Sequence, residues 1–174
     1  MFRPSFLIRG GALVALLVLL AHTVGSDLLR RRLDPAGLTG RVAPPFELEP
    51  LTGGSPVALE ALRGRAVVLS FFATYCRACK REIPSLIRLT ERFPDEDLKV
   101  LLIADDSREA LAAYIAEAAL ELPVLLDDGE VHRDYRVRGL PRMVMIGRDG
   151  VVRADYEGKP SAAEMARMIA SLRD

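Results

Sequence analysis

Phe71-Phe72-Ala73-Thr74-Tyr75-Cys76-Arg77-Ala78-Cys79-Lys80-Arg81-Glu82-Ile83-Pro84 joins two patterns of different period. It begins inside the continuous apolar run Ala66–Phe72 (AVVLSFF), whose β-branched and aromatic residues read as a central strand buried on both faces. From Cys76 to about Phe93 the apolar residues Ile83, Leu86, Ile87 and Leu89 recur at i+3/i+4, the spacing of a helix. Cys76 and Cys79 therefore stand directly after a buried strand, at the start of a helix. Their spacing puts both sulfurs on one side of the first turn, within reach of a small disulfide ring. The unpaired backbone N–H groups and the dipole at a helix start favour a thiolate, and Arg77, Lys80 and Arg81 add positive charge. A free thiol titrates near ~8.5, and such surroundings lower it to roughly 3.5–7.5. Cys76 is expected to be the attacking thiolate. Cys79, one turn into the helix and against the sheet, is expected to be the resolving thiol. A static staple closing so short a loop would stabilise little, and two cysteines make only half of a metal site, so redox chemistry stands ahead of metal binding and of an inert disulfide.

Outward from this segment the periods alternate. Phe46–Leu51 alternates apolar and polar residues as an edge strand does, Thr52-Gly53-Gly54-Ser55 is a turn, and Pro56–Leu59 returns as the second strand of a hairpin. Leu59–Leu62 is a short helical turn ended by Gly64. Val100–Ala104 is a second buried strand, and Ser107–Ala119 an Ala-rich helix capped by Ser107, read as packed and not as a partner surface. Pro123–Leu126 is a short strand and Val131–Tyr135 a short helix or turn. Met143–Ile146 and Val151–Glu157 form a hairpin around Arg148-Asp149-Gly150, and Ser161–Leu172 is a closing amphipathic helix. This alternation of strands and helices predicts an α/β layered fold with a mixed sheet. Asp105-Asp106 and Asp127-Asp128-Gly129 look like acidic metal loops, but each lies where a strand ends and Asp and Gly serve turns.

The chain of 174 residues balances 24 Lys+Arg against 24 Asp+Glu. Residues 1–33 hold Arg3, Arg9, Arg30, Arg31 and Arg32 against the single acid Asp27, which leaves residues 34–174 with a net charge of −4. A mildly acidic body argues against nonspecific nucleic-acid binding, and a 50% hydrophobic composition argues against disorder. Two cysteines exclude a disulfide-stapled mini-protein, and the remoteness of His22 and His132 argues against a four-ligand Cys/His zinc site. Arg3 and Arg9 precede the apolar run Gly10–Ala21, which fades through His22 to Gly25. A charged start before such a run marks an export segment. Its length lies just short of the roughly 17–25 residues of a spanning helix; with Phe6-Leu7-Ile8 added, it reads as an uncleaved signal anchor ahead of a cleaved signal peptide. Residues 1–25 are thus assigned to a hydrophobic export helix, 26–43 to a linker, and 44–174 to the folded domain, outside the cytoplasm.

The quoted segment resembles the active-site segment of thioredoxin-like proteins, and most closely the exported TlpA/ResA type. The resemblance extends over about 44–174: the leading Pro44-Pro45-Phe46 hairpin, the stretch Ser107–Leu126, which such proteins carry as a central insertion, Gly139-Leu140-Pro141 before the strand Met143–Ile146, and Gly147-Arg148-Asp149-Gly150. It implies a thioredoxin-like three-layer α/β fold with an N-terminal β-hairpin. It also implies a thiol–disulfide oxidoreductase acting on protein substrates with disulfides or thiols, needing no cofactor beyond the Cys76–Cys79 couple. Pro141 matches the family's cis-proline, whose loop presents backbone to the substrate; from the residues alone, Leu140-Pro141 reads equally as a trans turn. Pro84 matches a proline within the active-site helix. Glu82 matches a glutamate near the active-site cavity, able to take a proton as Cys79 attacks the mixed disulfide; read alone, it is equally a solvated helix carboxylate pairing with an Arg.

The sequence also departs from the family. Tyr75 stands where Trp is usual and is expected to shield the dithiol and contact substrate along with Leu140 and Pro141. Thioredoxin's buried strand acid falls at Ser70, so that proton acceptor is missing. Arg142 follows the proline in place of a small residue, to steer acidic partners or to face water. The leading reading is an exported reductase of protein disulfides such as those of apocytochrome c, recharged by a membrane electron donor. One alternative is a copper-binding or metallochaperone module, for which His132 is the available histidine, although its turn places it at the surface. The other is a peroxiredoxin-like peroxidase. Thr74 lies two residues before Cys76, but the preceding proline of that motif is absent.

Overall fold

The computed structural model describes residues 14–22, 24–26, 33–170 and 172. One seven-stranded mixed sheet runs in the order β2-β1-β5-β4-β3-β6-β7. The strands are β1 (Glu47–Pro50), β2 (Val57–Ala58), β3 (Ala66–Phe71), β4 (Leu98–Ala104), β5 (Val124–Leu126), β6 (Arg142–Ile146) and β7 (Val152–Glu157). The helices are α1 (Arg77–Arg92), α2 (Arg108–Ala118), α3 (Glu130–Asp134) and α4 (Ala162–Ala170), with a 3-10 turn at Leu59–Leu62. This is the thioredoxin-like α/β arrangement. The apolar run becomes β3 because β3 lies between parallel β4 and antiparallel β6, and all six of its residues are buried. β1 is not an edge strand. It pairs with β5 on one side and β2 on the other, so the two-residue β2 forms the edge.

Two cores flank the sheet. One joins Val68 and Phe72 of the β3 region to Cys79, Ile83, Leu86 and Leu89 of α1, with Leu111 of α2 and Met168 of α4. The other joins Val67, Leu69 and Phe71 to Leu59, Leu62, Val131 and Tyr135. The odd and even residues of β3 thus face opposite layers, as strand geometry requires. Pro84 sits inside α1 without ending it. Ser107 caps α2 by accepting from Ala110 N–H at 3.2 Å. α2 is less packed than its composition suggests: Leu111 is its only fully buried residue, with Tyr114 and Ile115 half-buried, and its alanines face outward.

The stretch read as linker is docked against the domain over residues 36–43. Ala36, Leu38 and Ala43 are buried in the second core. Gly40 N–H donates to Val152 O at 2.8 Å, Val152 N–H donates to Arg41 O at 2.8 Å, and Val42 bridges Val151. Small residues and turn-forming glycines at 37 and 40, both at positive φ, let this strap follow β7 closely. Upstream, residues 14–22 and 24–26 are helical and exposed. The rest of the segment expected to be an export helix, and Arg30–Arg32, lie outside the described residues. Among the described residues no helix is long and apolar enough to cross a membrane.

Candidate active site

The dithiol sits where β3 hands over to α1. Cys76 is the N-cap of α1, and its Sγ accepts from Cys79 N–H at 3.1 Å. Sulfur thus takes the place of the oxygen that usually satisfies one unpaired donor of the first turn. The two residues are joined by a disulfide with Cα atoms 5.3 Å apart. Cys76 is half-buried, whereas Cys79 is only 1% exposed and belongs to the α1-side core. Tyr75 stands out beside them, 76% exposed. Arg77, Lys80 and Arg81 are exposed around the first turn, and Lys80 Nζ lies over the Tyr114 ring, 4.7 Å from its centroid, a cation–π contact.

The sheet register brings the proline loop to the same place. Phe71 pairs with Arg142, so Pro141 continues β6 beside Phe72 at the root of the cysteine loop. The Leu140–Pro141 peptide is cis. Pro141 is buried, its carbonyl accepts from Gly158 N–H at 2.8 Å, and half-buried Leu140 packs against both cores. A Cβ at Gly139 would stand 2.8 Å from Glu157 Oε1, so a larger residue there would have to push that side chain aside.

Glu82 is not a solvated helix carboxylate. It is 1% exposed and lies in the buried stripe of α1 with Cys79, Ile83 and Leu86. One turn separates it from Cys79, so the two side chains share a helix face. Glu82 Oε2 accepts from Ser70 Oγ at 3.3 Å, and among the described residues Oε1 has no hydrogen-bond partner. Burial pushes the Glu82 carboxyl up to about 7, against the Ser70 hydrogen bond and the positive charge of Lys159, which pull it down. An acid therefore does stand at the Ser70 position, delivered from the helix rather than the strand. With a pKa near neutrality, this group exchanges a proton readily at physiological pH.

Arg142 neither faces water nor steers partners. It is fully buried, its Nε and Nη2 grip Asp155 Oδ1 and Oδ2 at 2.7 and 2.6 Å, and its Nη1 donates to Arg136 O at 3.1 Å. Asp155 Oδ2 also accepts from Ala36 N–H at 3.3 Å, which ties the N-terminal strap to the pair. His132 is not a surface residue either. Its Nδ1 lies 2.6 Å from Asp127 Oδ2 and its ring meets Phe71 edge-on at 5.0 Å. Asp127 also accepts from Val131 N–H and His132 N–H, so it works as a turn and helix cap. His132 lies on the second-core side of the sheet, with Phe71, away from the α1-side core that holds Cys79. Among the described residues no group of three or more His, Cys, Asp or Glu side chains is placed to hold a metal ion. Sequence reasoning missed Asp106, whose Oδ2 accepts from Thr74 N–H at 2.6 Å, inside the cysteine loop; its place at the end of β4, the strand paired with β3, was the available signal.

A model of the AhpC/TSA family matches residues 39–155. The chain is 28% identical over 134 residues to thioredoxin-like protein YneN of Bacillus subtilis, covering 75% of this chain and 78% of that one. It is 28% identical over 152 residues to thiol-disulfide oxidoreductase ResA of Halalkalibacterium halodurans, covering 86% and 85%. Among solved structures, a thiol:disulfide interchange protein of the thioredoxin family from Chlorobium tepidum superposes with a TM-score of 0.66 at 25% identity, covering 75% of this chain and 94% of that one.

Proposed function

We propose that this chain, which belongs to the AhpC/TSA family, is a thiol–disulfide oxidoreductase working as a reductase of protein disulfides outside the cytoplasm. The observation that carries the reading is the pairing of a half-buried, helix-capping Cys76 with a buried Cys79 one turn above the desolvated Glu82. In the dithiol form, Cys76 thiolate attacks one sulfur of a substrate disulfide, and the other substrate sulfur leaves as a thiolate. Cys79 then gives its proton to the Glu82 carboxylate and attacks Cys76 Sγ. The mixed disulfide breaks, and the second substrate sulfur departs with the bond's electron pair and takes up a proton. Two electrons pass to the substrate, and the protein is left in the Cys76–Cys79 disulfide form described above. Tyr75 and the Leu140–Pro141 loop flank the point of attack and serve as the substrate-contacting rim.

The N-terminal apolar segment supports export, with attachment at the outer face of the membrane and recharging by a membrane electron donor. Apocytochrome c is the proposed substrate class, since ResA-type relatives cover most of this chain. Trapping tests the reading. A Cys79→Ser variant expressed with its export segment is expected to accumulate a disulfide-linked partner on Cys76, identified by mass spectrometry. A reduction potential near −270 mV or below agrees with a reductase, and one near −120 mV overturns that direction. The family match favours one second reading, a peroxidase. Fast peroxide consumption by the same Cys79→Ser variant, with no partner trapped, would replace the reductase by it.

A further inference from the structure

The loop that carries Cys76 leaves the sheet with few backbone bonds to hold it. Phe72 N–H donates to Ile103 O at 3.0 Å, continuing the β3–β4 ladder one residue beyond the strand. Cys76 N–H donates to Ala73 O at 3.0 Å and closes a turn within the loop. Between them Thr74 N–H finds its acceptor on another element, at Asp106 Oδ2, 2.6 Å away. Asp106 lies two residues past the end of β4 and is half-buried. β3 and β4 run parallel with Phe71 opposite Ile103, so the Asp106 side chain prolongs the ladder where both backbones have parted. Among the described residues no Lys or Arg pairs with Asp106, and Thr74 N–H is its one hydrogen-bond partner.

We infer that Asp106 is a positioning residue for the thiol–disulfide reaction: its carboxylate pins the Thr74–Cys76 turn and adds a negative charge to the loop that carries the attacking sulfur. A hydrogen bond to an ionised acceptor is short and strong, and here it fixes a loop residue that the sheet ladder no longer holds. The charge acts against the helix start and against Arg77, Lys80 and Arg81, all of which favour the Cys76 thiolate. Glu82 adds a second acid from the α1-side core. A carboxylate that disfavours the thiolate disfavours the reduced protein and makes the dithiol the stronger electron donor. The inference deepens the reductase reading and rests on it for direction, but its first two readouts need no substrate protein.

Two variants of the full chain separate anchor from charge. Asp106→Asn keeps an oxygen for Thr74 N–H and removes the charge; Asp106→Ala removes both. The pH profile of Cys76 alkylation by iodoacetamide is expected to move to lower pH in Asp106→Asn. The equilibrium with a glutathione redox buffer is expected to move at least threefold toward the dithiol. Reduction of insulin disulfides, used as a protein probe, is expected to fall at least tenfold in Asp106→Ala and to be largely rescued in Asp106→Asn. An Asn variant with wild-type alkylation profile and glutathione equilibrium overturns the charge role. An Asn variant as slow as the Ala variant overturns the anchoring role. A wild-type chain that reduces no protein disulfide, while the profile and equilibrium still shift, overturns the reductase reading and leaves the assignment of Asp106 standing. If Asp106→Ala does not fold, the nearly isosteric Asn variant still decides the charge role.

Discussion

Two carboxylates are buried on opposite faces of the same sheet, and their surroundings separate architecture from chemistry. Asp155, on the second-core side, receives two guanidinium hydrogen bonds from Arg142 and one from Ala36 N–H. Burial pushes its carboxyl up, while the Arg142 charge and these hydrogen bonds pull it back. Glu82, on the α1 side, has one hydroxyl donor at 3.3 Å and one oxygen with no hydrogen-bond partner among the described residues. Burial alone does not decide what a carboxyl does; the number of donors that replace water does. Asp155 is a strut that ties β6, β7 and the N-terminal strap together. Glu82 is an under-solvated acid held one helical turn from Cys79, and it stays there at a cost to stability.

The largest effect is expected from breaking the strut. Asp155→Ala leaves the Arg142 guanidinium buried without its counter-charge, and removing one partner of such a pair costs about 3–5 kcal/mol. Denaturant unfolding of the oxidised protein measures it. Replacing both partners at once with apolar residues of similar volume should recover most of the loss. A single-variant cost under about 1 kcal/mol would mean that the two carboxylates are not different in kind.

Glu82→Gln should have the opposite sign. Its carboxyl titrates near 7 in the native state against 4.5 ordinarily. Below about pH 4.5 both states are protonated and the group costs nothing. Between there and about 7 the unfolded chain gives up its proton first, so stability falls as pH rises. Above 7 the full penalty, about 3 kcal/mol, is in place. The Gln variant should therefore be more stable than wild type at pH 8 by up to that amount, and little changed at pH 4. It should also resolve mixed disulfides more slowly, because in the proposed reaction Glu82 takes the proton of Cys79. Paired unfolding curves at the two pH values, with rapid-quench resolution rates, check both parts.

The contrast between the two faces also explains what was legible in the sequence. The β3–α1 junction, the hairpins and the Ser107 cap are local patterns, and each element formed within a residue or two of its reading. Glu82's burial was locally readable as well, since it sits three residues after Cys79 and four before Leu86, on one helix face. Arg142 and Asp155 were not. Their pairing depends on β6 lying beside the central strand, which leaves it no solvent face, and on a diagonal contact across the β6–β7 hairpin, where Arg142 is opposite Glu157 and Asp155 opposite Val144. His132 turned inward because Asp127, five residues earlier, caps the turn and fixes the ring against Phe71. The docking of residues 36–43 was hidden because glycine and proline mark a tight strap as readily as a free linker.

The smallest and most discriminating change is Ser70→Ala. Ser70 is 2% exposed and pairs with Met143 in the register of β3 with β6, so the loss of its hydroxyl alters no strand contact. What changes is the single hydrogen bond that lowers the Glu82 pKa. Without it the carboxyl should stay protonated to still higher pH. Global stability should shift by about 1 kcal/mol or less, with the loss confined to pH values where Glu82 is ionised. The pH dependence of mixed-disulfide resolution should move upward together with the Glu82 titration, followed by carboxyl infrared absorption. If the two profiles separate, the proton leaving Cys79 goes to another acceptor and the one-donor environment of Glu82 is packing rather than chemistry. If they move together, one serine hydroxyl on the α1 side does for the proton relay what three donors on the far side do for the fold: it sets how much of a buried charge the protein can tolerate.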